Sequence, residues 1–105
     1  MIDNEMNEAV AKKMGWAVIR GNIPPRGPFD SDMWSMDGVH LRRCPDYLND
    51  IRAAWEICDW LESNSYSWEL KSSYQMGIGN NQGWILFEHG DTAPRAICEA
   101  FLKLP

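Results

Sequence analysis

The 105-residue sequence lacks the patterns that mark metal-binding, secreted and membrane-spanning proteins. Its two His and three Cys form no Cys-x-x-Cys and no His-x-x-x-His pair, so the usual zinc-ligand spacing is missing. The cysteines (Cys44, Cys58 and Cys98) are odd in number and widely separated, which favours a reducing compartment over a disulfide framework. The acidic start, Met1 to Glu5, is unlike a signal peptide, and no apolar run approaches the ~20 residues of a membrane span. We therefore expect a cytoplasmic protein without metal or cofactor.

Positive charge is also scarce. The chain has 10 Lys and Arg against 15 Asp and Glu, a formal net charge of -5. This balance works against binding along a phosphate backbone, which gains most from Lys and Arg that release counterions. The apolar fraction of 45% and charged fraction of 24% are those of a globular protein. A chain of this length fits one domain, residues 1–105.

Three segments have apolar residues at the three- and four-residue spacing of amphipathic helices. The first, residues 3–14, ends before Gly15, and the last follows a Thr92 cap with Pro94 in its first turn. The second, residues 47–62, has Asp46 or Asn49 as its expected cap. Its predicted buried face holds Tyr47, Ile51, Ala54, Trp55, Cys58 and Leu61.

Alternation of apolar and polar residues predicts the strands. Residues 66–72 alternate strictly, with Tyr66, Trp68 and Leu70 facing inward, and residues 84–89 are the expected partner strand. The Gly- and Asn-rich stretch 76–83 is predicted as the loop of that hairpin, and residues 16–19 as a short strand. The predicted fold is α+β, with three helices packed on a small antiparallel sheet of three to four strands.

Residues 20–45 form a Pro- and Gly-rich arm, with four of the six Pro and three of the eight Gly. So long a structureless segment is uncommon inside a small domain unless it is functional. Within it, residues 33–36 and 39–41 are predicted to form a small hairpin around Asp37-Gly38.

Seven short blocks, in this order, resemble the family of small viral proteins named for the phage ABA sandwich domain. They are Asn7–Ala11, Met14–Trp16, Asp37–Gly38, Pro45–Tyr47, Asp50–Ile51, Ala53–Glu56 and Thr92–Ala100.

The resemblance implies a phage or prophage origin and helices packed on a small sheet, and it implies no activity. Residues 22–36 and 73–81 depart from the family pattern, since both look longer here. The setting implies an accessory protein in the cytoplasm of the host cell. One expectation is that it blocks a host defence system, as an anti-CRISPR-type inhibitor whose carboxylates occupy a nucleic-acid site.

Two alternatives rest on few residues. A small hydrolase would need Cys44 beside His40 or His89, since a nucleophile requires a nearby base. A nucleic-acid binder would use Arg42 and Arg43, with Trp34 stacking on a base. The net charge opposes the second alternative, and we expect no catalytic residues.

Protein binding is the preferred hypothesis, with a host protein such as a nucleic-acid-binding defence effector as partner and a homodimer left open. Two surfaces qualify because Trp and Met are common at recognition surfaces. The arm carries large apolar side chains outside any amphipathic element: Phe29, Met33, Trp34 and Met36. The alternative is that the arm folds back and caps the core. The outer face of the second helix places Trp60, outside the apolar stripe, beside three carboxylates: Glu56, Asp59 and Glu62. The alternative there is that the third helix covers Trp60.

Overall fold

The computed structural model describes residues 3–19, 33–37 and 42–105, which contain three helices and five strands. The helices are α1 (Asp3–Lys13), α2 (Ile51–Ser63) and α3 (Ala93–Leu102). The strands are β1 (Ala17–Ile19), β2 (Met33–Ser35), β3 (Ser67–Leu70), β4 (Gln75–Asn80) and β5 (Gly83–His89). The α+β class is confirmed, and the strands of the described residues divide into two antiparallel sheets, β1-β2 and β3-β4-β5.

The helix ends follow the capping chemistry, with one correction. The Thr92 hydroxyl accepts a hydrogen bond from the Arg95 N–H at 3.4 Å, so the predicted cap of α3 is confirmed. Helix α2 begins four residues later than predicted, and its cap is Asp50, which accepts from the Arg52 N–H at 2.9 Å. The predicted caps Asp46 and Asn49 are wrong, because residues 47–49 form a separate turn ahead of the helix.

The centre of the three-stranded sheet differs from the prediction. Most of the stretch 76–83, predicted to be a hairpin loop, belongs to β4, which pairs with β3 on one side and β5 on the other. The segments 66–72 and 84–89 are therefore not direct partners. Strand β4 alternates too, since Met76 and Ile78 are buried on the helix side while Gly77 and Gly79 occupy the opposite face. The strand was not predicted because every second residue is glycine, which has a low propensity for β-strands.

Helix α3 is the element around which the core is built. It contacts α1, α2, β4 and β5. Its buried residues are Ala96, Ile97, Cys98, Ala100 and Phe101. Helix α2 contributes Ala53, Ala54, Ile57, Cys58 and Leu61 to the same core.

A buried amide joins α1 to the turn that precedes α2. The Asn7 side chain, 7% exposed, donates to Asp46 Oδ1 at 3.0 Å and accepts from the Leu48 N–H at 3.1 Å. Both hydrogen-bonding atoms of a polar side chain are thus satisfied inside the protein. Arg95 of α3 extends the network by donating to Asp3 at 2.8 Å and Asn49 at 3.2 Å.

The described part of the arm is a pair of short strands. Strand β2 pairs with β1 in the register Val18 to Trp34, and Trp34 also exchanges two backbone hydrogen bonds with Arg42, at 2.7 and 2.9 Å. The predicted turn at Asp37-Gly38 and the return strand 39–41 lie mostly outside the described residues, as do Phe29 and His40.

Gly90 allows β5 to connect closely to α3, and we expect Gly90→Ala to destabilise the fold. A Cβ at this position would lie 2.8 Å from the Ala96 Cα, and closer still to the Ala96 backbone nitrogen. Since backbone atoms cannot rotate away, α3 would have to move, at about 2 kcal/mol of unfolding free energy. Urea denaturation measures the loss, with the exposed neighbour Asp91→Ala expected within ~0.5 kcal/mol of wild type. Equal midpoints for the two variants would show that α3 adjusts freely.

Candidate protein-binding surface

Trp34 is a core residue, and the prediction that it forms part of a binding surface is wrong. Its side chain is 2% exposed and belongs to the hydrophobic core, because β2 is held between β1 and Arg42. Met36, two residues on, is 54% exposed, so one predicted apolar residue of the arm does lie on the surface. Met33 lies in β2, while Phe29 is outside the described residues.

Arg42 is already engaged within the protein. Its guanidinium donates to both carboxylate oxygens of Glu56, at 3.1 and 3.2 Å, and lies 4.8 Å from the centre of the Trp16 ring. Bidentate Arg–carboxylate pairing fixes the orientation of both groups. The nucleic-acid alternative therefore loses two of its three residues, Arg42 to this pair and Trp34 to the core. The third, Arg43, is exposed.

Trp60 is not the exposed centre of an acidic surface, and the alternative, that the third helix covers it, is confirmed. Its ring meets Phe101 of α3 edge to face at 5.2 Å and stacks beside Tyr66 at 6.3 Å. The side chain is half-buried and packs against the core. Glu56, predicted to flank it, is paired with Arg42. Of the predicted acidic residues on α2, Asp59 and Glu62 are exposed.

Trp55 occupies the position that was predicted for Trp60. Its side chain is 41% exposed, and its ring lies 5.7 Å from that of Trp68 on β3. Trp55, Asp59 and Glu62 are spaced i, i+4 and i+7, so they share one face of α2. The Trp68 indole N–H donates to Glu62 Oε1 at 3.2 Å, which ties that carboxylate to the same cluster. We call Trp55, Asp59, Glu62 and Trp68 the acidic–aromatic face.

Trp55 was predicted to lie on the buried face of α2, which is wrong, although the helical pattern indicates its exposure. Ala53 and Ile57 are buried together with Ala54, Cys58 and Leu61. At ~100° per residue, including Ala53 and Ile57 rotates the centre of the apolar stripe to about 120° from Trp55. Trp55 then falls outside the buried face, where a side chain is left partly in solvent.

The environment of Cys44 opposes its use as a nucleophile. Burial and, to a smaller extent, the negative charge of Glu8 raise the pKa of this thiol to about 11. Its Sγ lies 3.7 Å from the carbonyl oxygen of Pro45, a weak hydrogen bond that holds the thiol form. His89 is exposed at the end of β5, and His40 lies outside the described residues. A catalytic cysteine needs a thiolate, which a lowered pKa provides.

The described residues offer neither a metal site nor a membrane-spanning helix. Within residues 3–19, 33–37 and 42–105, no group of three or more His, Cys, Asp or Glu side chains is arranged to hold a metal ion. No helix in the same ranges combines the length and apolar character needed to cross a membrane. The expectation of a protein without metal or catalytic residues stays a prediction.

The architecture, three helices on small antiparallel sheets, defines a class of small α+β domains. The chain belongs to the phage ABA sandwich domain family, whose model matches residues 8–102. The blocks quoted from the sequence thus led to the correct family. The chain is also similar to a phage protein from Bacillus cereus ATCC 14579, solved by crystallography at 2.0 Å. That protein is 23% identical, with a TM-score of 0.67 over 97% of this chain and 90% of its own, a likeness that shows the fold alone. No curated protein matches the chain.

Alkylation of Cys44 should be slow at neutral pH and keep accelerating as the pH rises. With its pKa raised to about 11, the thiolate fraction grows about tenfold per pH unit up to that value. Iodoacetamide labelling of the Cys44 peptide, followed by mass spectrometry from pH 7 to 10, measures the rate. Labelling of free cysteine in the same tube is the control and should level off near its ordinary pKa of about 8.5. A Cys44 rate that levels off below about pH 9 would support an activated thiol.

Proposed function

We propose that this phage protein is a noncatalytic accessory protein that binds a host protein through the acidic–aromatic face. One observation carries the proposal: an exposed Trp55 lies among the carboxylates of Asp59 and Glu62 on a single helix face. An exposed Trp is the residue type that most often supplies a large share of binding energy at an interface. The surrounding negative charge selects a partner with a basic surface.

The face is organised before any partner arrives. Trp55 rests against the Trp68 ring, which is itself held by the hydrogen bond to Glu62. A side chain that is already ordered loses less conformational entropy on binding, so more of the contact energy becomes affinity. Arg52, one turn earlier on α2, is exposed and is the single basic residue close to the face along the helix.

The identity proposed for the partner follows from charge. The chain carries a net charge of -5. Proteins that bind nucleic acids present Lys and Arg to phosphates. Asp59 and Glu62 would occupy such a surface in place of phosphates and block it. In a family of phage proteins, this chemistry fits the inhibition of a nucleic-acid-binding host defence protein, as an anti-CRISPR-type inhibitor does.

The alternatives are supported less well. Direct nucleic-acid binding was assigned to Arg42, Arg43 and Trp34, of which Arg42 is paired with Glu56 and Trp34 is buried. The hydrolase would depend on Cys44, whose surroundings favour the neutral thiol. Protein binding through α2 needs neither the arm nor a reactive group.

Charge reversal on the face should abolish binding while leaving the fold intact. The experiment is quantitative affinity capture from a lysate of the bacterial host, with circular dichroism to verify folding. Asp59→Lys and Trp55→Ala should each lower the recovery of a specific basic protein at least ~10-fold, since both belong to the proposed centre of the contact. Glu5→Lys on α1 is the matched charge control, and Trp84→Ala the matched Trp control.

Salt provides a second criterion. A contact dominated by exposed carboxylates should weaken markedly between about 0.1 and 0.5 M NaCl, as the Debye length shortens. Equal recovery by wild type and both face variants would contradict the proposal. So would a captured protein that is acidic, or recovery that is insensitive to salt.

A further inference from the structure

The outer face of the three-stranded sheet carries a second aromatic surface that no proposed function has used. Two β5 rings lie above the glycines of β4, in the register Gly77 to Phe87 and Gly79 to Trp84. A Cβ on Gly77 would come within 2.6 Å of the Phe87 ring, and one on Gly79 within 3.0 Å of the Trp84 ring. Glycine at both positions lets the rings settle directly on the sheet.

Both rings are exposed to solvent, although each packs on a glycine of β4. Trp84 is 51% exposed and Phe87 43%, with ring centroids 5.5 Å apart and planes tilted by 45°. The Lys71 ammonium lies 6.0 Å from the centre of the Phe87 ring. Large aromatic side chains left half in water on a rigid sheet are unusual unless they contact a ligand.

Two adjoining clefts open at the turn between β4 and β5, and Trp84 lines the smaller one. They share Asn80, and their volumes are about 350 and 130 Å³. The larger falls at the lower end of the range for small-molecule sites, roughly 300–1,000 Å³. It is lined by Asn64, Ser65, Tyr66, Asn80, Asn81 and Gln82. The smaller is lined by Ser67, Gly79, Asn80, Gly83 and Trp84.

The lining combines amides, hydroxyls and aromatic rings, and none of these described residues is acidic or basic. Two of the amides are held in place by local hydrogen bonds. Asn80 Oδ1 accepts from the Gln82 N–H at 2.8 Å, and Asn64 Nδ2 donates to the Trp60 carbonyl at 2.8 Å. These bonds leave the Asn80 NH₂ group and the Asn64 carbonyl oxygen available to a ligand.

Ser65, which lines the larger cleft, has an unusual backbone conformation. It has φ of 66° in the left-handed region, just beyond the C-cap of α2. The Tyr66 N–H donates to the Leu61 carbonyl at 2.9 Å and the Ser65 N–H to that of Glu62 at 3.2 Å, the pattern of a Schellman motif. Glycine is strongly favoured at this position, and a serine costs about 1 kcal/mol. The chain instead keeps a hydroxyl-bearing residue that lines the cleft.

We propose that the two clefts and Trp84 form a binding site for a neutral saccharide. The C–H face of a sugar ring is apolar and would pack on the exposed indole, as other apolar surfaces do. Each sugar hydroxyl both donates and accepts a hydrogen bond, which suits amides that offer two N–H donors and one carbonyl oxygen. A nucleotide or acidic sugar fits less well, because its negative charge would meet no Lys or Arg among the described lining residues.

Titration of ¹⁵N-labelled protein with chitotriose, maltotriose and cellotriose, each to about 10 mM, tests the site. At least one trisaccharide should bind with a Kd of about 1 mM or below and shift the side-chain amide signals of Asn64, Asn80, Asn81 and Gln82. Trp84→Ala should weaken that binding at least ~10-fold, because it removes the packing surface for the sugar ring. Trp55→Ala, at the other exposed indole, should change it less than about twofold.

Gln82→Ala guards against a folding artefact. This side chain lines the cleft, whereas its backbone N–H makes the bond to Asn80, so the turn is retained and binding should fall about threefold or more. Adenosine and guanosine serve as competing probes. The proposal is overturned if none of the three trisaccharides shifts these signals, if a nucleoside binds more tightly, or if binding survives Trp84→Ala. None of these outcomes bears on the acidic–aromatic face, which is tested by its own variants.

Discussion

The packing of α3 is the constraint on which the rest of the structure depends. Its buried stripe, from Ala96 to Phe101, belongs to a helix that meets two other helices and two strands. Ala96 and Ala100 are small enough to let neighbouring backbones approach, and Phe101 fills the remaining space against Trp60. Because Trp60 packs against α3, Trp55 is the tryptophan of α2 that is exposed to solvent.

The sequence was most informative where chemistry is local. The caps and apolar spacing of α3 and the alternation of β3 were predicted because a few neighbouring residues determine them. Strand β4 was missed for a long-range reason. Its glycines favour a loop in isolation, but in the sheet they make room for Trp84 and Phe87 of the next strand. A cross-strand requirement of this kind cannot be read from the β4 segment alone.

The sequence predicted the kind of candidate site correctly but assigned it to the wrong tryptophan. The sequence indicated an exposed Trp beside carboxylates on α2, and the structure has this arrangement with Trp55 in place of Trp60. Whether a tryptophan outside the centre of an apolar stripe is buried depends on which neighbouring helix packs against it. That information resides in α3, some forty residues away. The burial of Trp34 could not be predicted for a similar reason. Its partner Val18 is distant in the sequence, and its partner Arg42 pairs with it through an isolated bridge outside any regular strand.

The pairing of Ile19 with Met33 has an evolutionary consequence. The chain leaves β1 and re-enters β2 at positions directly opposite each other, whatever route it takes between them. Doubling the number of intervening residues would add only about 0.6 kcal/mol of closure entropy. Insertions or deletions between these two positions should therefore cost little free energy, so their number can change under selection without altering the helices and sheets.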